Sequence, residues 1–95
     1  MLKERTERNI KAIIIDTYEE EAEFQDEDFD DFYIFVSTIT AYGYSKDEIQ
    51  EFAMKYNIKT SPYDEYPEND YFYKGLGSLE VDKAKIEELK KTIRR

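Results

Sequence analysis

Apolar side chains return at every third or fourth position in several stretches of this chain, which is the period of an amphipathic α-helix. The first such stretch covers residues 2–24 and predicts a helix there. Its apolar face comprises Ile10, Ile13, Ile14, Thr17, Tyr18 and Ala22. The run Ile13-Ile14-Ile15 consists of β-branched side chains, so a short strand is the alternative prediction for this segment.

A second helix is predicted to begin at Asp26 or Asp28, because either residue is a suitable N-cap, and to end near Gly43. Its apolar face comprises Phe29, Phe32, Tyr33, Val36, Ile39 and Thr40. Residues 33–40 are also rich in β-branched and aromatic side chains, and a short apolar run fits either period. A strand over residues 33–40 is therefore the alternative prediction.

The third predicted helix has the strongest N-terminal signal in the chain. Ser45 followed by Glu48 is a capping box, and Tyr44 and Ile49 are placed to form the accompanying hydrophobic staple. The helix is expected to end near Asn57.

A last helix is predicted over residues 82–93, with Asp82 as its N-cap and with Val81 and Ile86 as a second staple. Its closing turn is basic, which suits the negative end of a helix dipole.

Between residues 59 and 77 the helical period breaks. Two prolines and two glycines interrupt a tyrosine-rich stretch and predict a loop, which gains a short β-hairpin if residues 71–73 are extended. The chain is short enough for one domain, residues 1–95. We expect it to be mostly α, a compact three- to four-helix bundle with a Tyr-rich loop.

The chain contains neither histidine nor cysteine. This excludes imidazole acid–base chemistry, Ser-His-Asp and Cys-His nucleophiles, and zinc sites built from either residue. Catalysis by carboxylates alone usually needs a substrate cleft, for which a small bundle leaves little room, so we expect no enzyme activity and no cofactor. The longest aliphatic run is too short to cross a bilayer, and no signal-peptide segment follows the first basic residues. We expect a cytoplasmic protein.

Charge is distributed unevenly along the chain. Residues 1–12 carry a net charge of +2, residues 13–73 a net charge of −14, and residues 74–95 a net charge of +3. No Lys or Arg occurs between Ile13 and Ser45. An acidic body of this kind repels nucleic acid and anionic membranes and attracts a basic surface.

Nine of the ten acids in residues 16–31, all except Glu21, form what we call the acidic ridge. On a helix, the first four lie at spacings i, i+3, i+4 and i+7, about 3.5 Å apart along the axis, close to the charge spacing of about 3.4 Å along one DNA strand. The ridge comprises Asp16, Glu19, Glu20 and Glu23, continued by Asp26, Glu27, Asp28, Asp30 and Asp31.

Part of the ridge imitates a calcium loop. Asp26, Asp28 and Asp30 match positions 1, 3 and 5 of an EF-hand, but Asp31 stands where glycine is required and Ser37 where glutamate is required. No dedicated metal site is therefore expected.

These features together predict an inhibitory protein that occupies the basic, nucleic-acid-binding surface of a partner protein. Anti-CRISPR proteins of phages, DNA mimics and nuclease-immunity proteins share this acidic character, as a likeness of composition. Such a protein would itself bind no nucleic acid and no membrane. The expected contact residues are Asp16, Glu19, Glu20, Glu23, Glu27, Asp30 and Asp31, with Tyr63 and Tyr66 as aromatic anchors.

Two other interpretations remain open. The ridge is equally typical of a solvated face that keeps the protein soluble, and the tyrosines are equally able to fold back over a small core. The protein would then be a small regulatory or scaffolding module that docks a partner through apolar surface. The sequence leaves the oligomeric state open.

Overall fold

Four helices and a three-stranded antiparallel sheet make up the part of the chain that the computed structural model describes, residues 2–62 and 76–93. In chain order the elements are α1 (Glu4–Gln25), β1 (Phe32–Phe35), α2 (Val36–Thr40), α3 (Lys46–Lys55), β2 (Lys59–Pro62), β3 (Leu76–Val81) and α4 (Lys83–Ile93). The prediction of a mostly helical fold is confirmed in this coarse form, but the bundle prediction left out the sheet.

The isoleucine run lies within α1, so the predicted first helix is confirmed and the strand alternative is wrong there. Ile10, Ile14 and Tyr18 are buried along one stripe of this helix. Burial of a continuous apolar face outweighs the weak β preference of the single residues, because propensity is small beside packing.

Asp26 ends the first helix instead of beginning a second one. Its φ of 54° and ψ of 42° place it in the left-handed region. The amide of Asp26 donates to the carbonyl of Glu23 at 3.3 Å, and the amide of Glu27 donates to that of Ala22 at 3.0 Å. These bonds satisfy carbonyls that the helix end would otherwise leave unpaired.

The predicted second helix is wrong up to Phe35, because residues 26–31 are non-helical and Phe32–Phe35 forms strand β1. In this strand Ile34 is buried whereas Tyr33 and Phe35 are each 51% exposed, which is the alternation of a sheet with one covered face. The helix prediction is right for Val36–Thr40. The strand alternative for residues 33–40 is accordingly right for residues 33–35 and wrong from Val36 onward.

Strand β3 is the centre of the sheet, with β1 and β2 antiparallel on either side. Ile34 lies opposite Leu79 in one ladder, and Lys59 lies opposite Glu80 in the other. The predicted loop is therefore wrong at both of its ends, which are strands. Its middle, including Tyr63, Tyr66 and the predicted hairpin at residues 71–73, lies outside the described residues.

Both predicted helix caps at α3 and α4 are confirmed. The Ser45 hydroxyl accepts from the amide of Glu48 at 3.1 Å, and the amide of Ser45 donates to the Glu48 carboxylate at 2.8 Å. At α4, a carboxylate oxygen of Asp82 accepts from the amide of Lys85 at 2.8 Å.

A polar cluster pins α1 to α3 at the edge of the core. The Glu7 carboxylate accepts from the Lys55 ammonium at 2.7 Å and from the hydroxyl of Tyr56. The buried ammonium of Lys11 lies 3.6 Å from the same carboxylate and 4.6 Å from the centre of the Tyr56 ring. A buried cation is tolerated because a carboxylate and a ring face both offset its lost hydration.

Candidate protein-binding groove

An open groove of about 570 Å³ lies between the second half of α1, the turn that follows it and α4. The two helices run antiparallel, since Lys83 at the start of α4 meets Asp28 beyond the end of α1. At the other end of the contact, Ile93 lies beside Glu7 and Arg8.

The turn is fixed against α1 by an aromatic group. The ring of Tyr18 meets those of Phe29 and Phe32 edge-on, with centroids 6.0 and 5.4 Å apart. Its hydroxyl also donates to the carbonyl of Phe29 at 3.2 Å and accepts from the amide of Phe29 at 3.0 Å. Edge-to-face packing and paired hydrogen bonds together hold the acidic turn in one place.

The groove has an apolar floor and acidic walls. Tyr18, Ala22 and Ile86 contribute the floor. Six carboxylates and two ammonium groups line the walls, which gives the groove a formal charge of −4. The charged residues are Glu19, Glu23, Asp26, Glu27, Asp28 and Glu87, with Lys83 and Lys90.

Half of these carboxylates are already paired. Lys83 lies 2.9 Å from Asp28, and Lys90 bonds Glu19 across the helices while lying 3.3 Å from Glu87. The hydrogen bond to Asp28 raises the pKa of Lys83, and the hydrogen bond to Glu19 raises that of Lys90. Both lysines are therefore charged at neutral pH.

The other three carboxylates, those of Glu23, Asp26 and Glu27, form no ion pair with the described part of the chain. They lie at the carboxyl end of the long helix α1, where the helix dipole adds to the negative potential. This end of the groove is a place where a cation from another molecule would be stabilised.

The residues predicted to bind a partner do not all lie on one surface. Glu19, Glu23 and Glu27 line the groove. Asp16 lies with Glu19 on a shallower depression beside α4, whereas Glu20 lines neither.

The last two acids of the ridge lie elsewhere. Asp30 and Asp31 line a separate hollow of about 190 Å³ beside Lys59 and Lys85. The predicted ridge is therefore divided by the turn, and its aromatic anchors Tyr63 and Tyr66 fall outside the described residues.

Sequence reasoning assigned no role to Glu87, which completes the groove from α4. Glu87 lies near the acids of α1 only because α4 packs antiparallel to α1, and no local sequence pattern predicts that packing. Asp26 and Asp28, which belong to the predicted ridge, line one end of the groove. Across residues 2–62 and 76–93, no three acidic side chains converge closely enough to hold a metal ion.

The chain shows no significant similarity to a protein-family model, to a curated protein or to a solved structure. No helix in residues 2–62 or 76–93 has both the length and the apolar content needed to cross a membrane.

Proposed function

We propose that this protein is an acidic inhibitory binding protein that occupies a basic, nucleic-acid-binding surface of a partner protein. The supporting observation is the acidic groove, whose carboxylates outnumber its ammonium groups by six to two. A concave surface of one charge sign focuses its field and raises the rate at which an oppositely charged partner associates.

The exposed acids outside the groove extend this field. Asp16, Glu20 and Asp30 are all exposed, and none of them forms an ion pair with the part of the chain that is described. With the groove they present negative charge around the whole carboxyl-terminal end of α1. The same charges disfavour direct binding of nucleic acid or of an anionic membrane, and we propose a cytoplasmic site of action.

A second candidate function is supported by exposed apolar side chains. Tyr33 and Phe35 are each 51% exposed and share the uncovered face of strand β1, and large exposed apolar side chains are typical of docking surfaces when they cluster. A regulatory or scaffolding module would use such side chains and keep the acids for solubility. Its affinity for a partner would depend weakly on salt, because apolar contacts are not screened.

Competition and salt dependence separate the two candidates. The partner is first obtained by affinity capture from the native host and then purified. We expect it to release DNA or RNA when this protein is added, and we expect affinity to fall steeply as ionic strength rises. An affinity that is constant across salt concentrations, without displacement of nucleic acid, would support the scaffolding function and contradict the inhibitor.

A further inference from the structure

The groove already shows how it accommodates a long cationic side chain. Lys90 is inserted between Glu19 and Glu87, and its side chain is only 25% exposed. Lysine and arginine commonly bury their methylene stems on apolar surface while the charged head meets its partners. In this groove the apolar surface beside the carboxylates is supplied by Ala22 and Ile86.

The end of the groove at the carboxyl end of α1 contains one cation, Lys83, which is paired with Asp28, and a larger excess of carboxylates. Glu23, Asp26 and Glu27 border the groove at the carboxyl end of α1 and form no ion pair with the described residues. The floor continues beneath them through Ala22 and Tyr18. Carboxylates from more than one direction, above an apolar floor, suit a cation with several donors and a long stem.

We propose that this end of the groove receives an arginine side chain from the basic surface of the partner protein. A guanidinium group has five N–H donors in a planar fork and can donate two parallel hydrogen bonds to one carboxylate. An ammonium group acts as a compact point charge. The guanidinium group is also less strongly hydrated, so it leaves water for a partly apolar groove at lower cost. The volume of about 570 Å³ lies within the usual range for ligand sites.

This inference rests on the proposed function and makes it more specific. General electrostatic attraction would treat arginine and lysine alike. The groove instead predicts a preference for arginine that depends on the carboxylates at the carboxyl end of α1, including Glu23 and Glu27.

The preference is measured with two labelled peptides, one of alternating arginine and glycine and one of alternating lysine and glycine. Fluorescence anisotropy with the whole protein at low ionic strength gives both affinities. We expect the arginine peptide to bind about 5-fold more tightly, since bidentate charge-assisted hydrogen bonds are stronger than single ones.

Glu23 and Glu88 offer a pair of variants that carry the same change. Both side chains are exposed, but of the two only Glu23 lines the groove. We expect Glu23→Gln to weaken arginine-peptide binding about 3- to 5-fold and Glu88→Gln to leave it unchanged. Glu27→Gln tests a second carboxylate at the same end of the groove and should act as Glu23→Gln does.

Equal affinity for the two peptides, or equal losses from Glu23→Gln and Glu88→Gln, would overturn the arginine site. Either result is compatible with inhibition through diffuse charge. The proposed function fails on a separate measurement, the competition with nucleic acid for the captured partner.

Discussion

Lys90 of α4 forms an ion pair with Glu19 of α1, and this contact lies between the groove and the shallower depression beside it. The pair ties the two helices together across the surface and neutralises one of the acids that the sequence assigned to partner binding. It also leaves the excess negative charge concentrated further along α1, around Glu23 and Glu27. The groove therefore has an end at Lys90 where charges nearly balance, and an end at Lys83 where Glu23, Asp26 and Glu27 add three carboxylates that form no ion pair with the described residues.

The capping box at α3 is expected to contribute measurably to stability. Ser45→Ala removes the hydroxyl that accepts from the amide of Glu48, and the free energy of unfolding should fall by about 1 kcal/mol. Ser37→Ala is the control, because Ser37 is an exposed serine within α2 and its effect should stay within about 0.5 kcal/mol. Urea denaturation of both variants measures the difference. Equal effects would mean that the cap contributes nothing beyond helix propensity.

The cluster at Glu7 is expected to stabilise the contact between α1 and α3. Burial raises the pKa of Tyr56, as does its hydrogen bond to Glu7, so the hydroxyl stays protonated and donates at neutral pH. Tyr56→Phe should lower the free energy of unfolding by about 1–2 kcal/mol, because a charged acceptor loses a donor. Tyr42→Phe, at a tyrosine that is 69% exposed, should change it by less than about 0.5 kcal/mol. A Tyr56→Phe variant as stable as the parent would show that the hydrogen bond is replaced by water without cost.

Stability should depend on pH in two opposite ways. Burial of Glu7 raises the pKa of its carboxyl, but the hydrogen bonds from Lys55 and Tyr56 and the nearby ammonium groups outweigh burial and leave the pKa below its usual 4.5. A lowered folded-state pKa stabilises the fold above the usual value, and this contribution is lost as pH falls through the lowered one. Between pH 7 and about 5 the Glu7 contribution is thus intact while self-repulsion weakens towards the pI near 4.5.

Thermal melting across pH separates these effects. We expect Tm to rise from pH 7 to about 5 and to fall below about 4. The difference in Tm between the parent and Glu7→Gln should stay constant in the first interval and shrink in the second. A Tm that falls steadily from pH 7 to 5 would mean that other carboxylates form stabilising native pairs.

Elements whose signals are local in sequence could be predicted, whereas an element that depends on a distant partner could not. The helices α1, α3 and α4 were predictable because the signals for each lie within a few neighbouring residues. These signals are the helical period in all three, the Ser45 cap in α3 and the Asp82 cap in α4. Strand β1 was not predictable with the same information, because its partner β3 begins only at Leu76. An apolar run such as Phe32–Phe35 takes the conformation that its partner allows.

The residues of the candidate site likewise could be predicted only where their positions depend on local structure. The acids of α1 share a face because of helical spacing, so Glu19 and Glu23 could be placed together from sequence. Glu87 could not, since it meets them only through the antiparallel packing of α4 on α1. Asp30 and Asp31 were expected to continue the ridge, but the left-handed residue Asp26 turns the chain and directs them towards another hollow.

A fourfold charge-removing variant tests whether the acids around the carboxyl end of α1 bind a basic surface. Changing Glu20, Glu23, Glu27 and Asp30 together to Gln or Asn keeps the size of each side chain. At about 0.5–1 kcal/mol for each partly exposed contact, affinity for the captured partner should fall by about 2–4 kcal/mol, or about 30- to 1000-fold. Folding should survive, because like-charge repulsion on the helix is relieved.

The control removes four acids from other surfaces. They are Glu4, Asp47, Glu51 and Glu88. Both variants carry the same net charge, so a general effect of charge would weaken them equally. The deciding measurement is the affinity of each for the captured partner by isothermal titration calorimetry at physiological salt. We expect a large loss of affinity in the first variant and a small one in the control. Equal affinities for the two would show that the acids around α1 are only a solvated face.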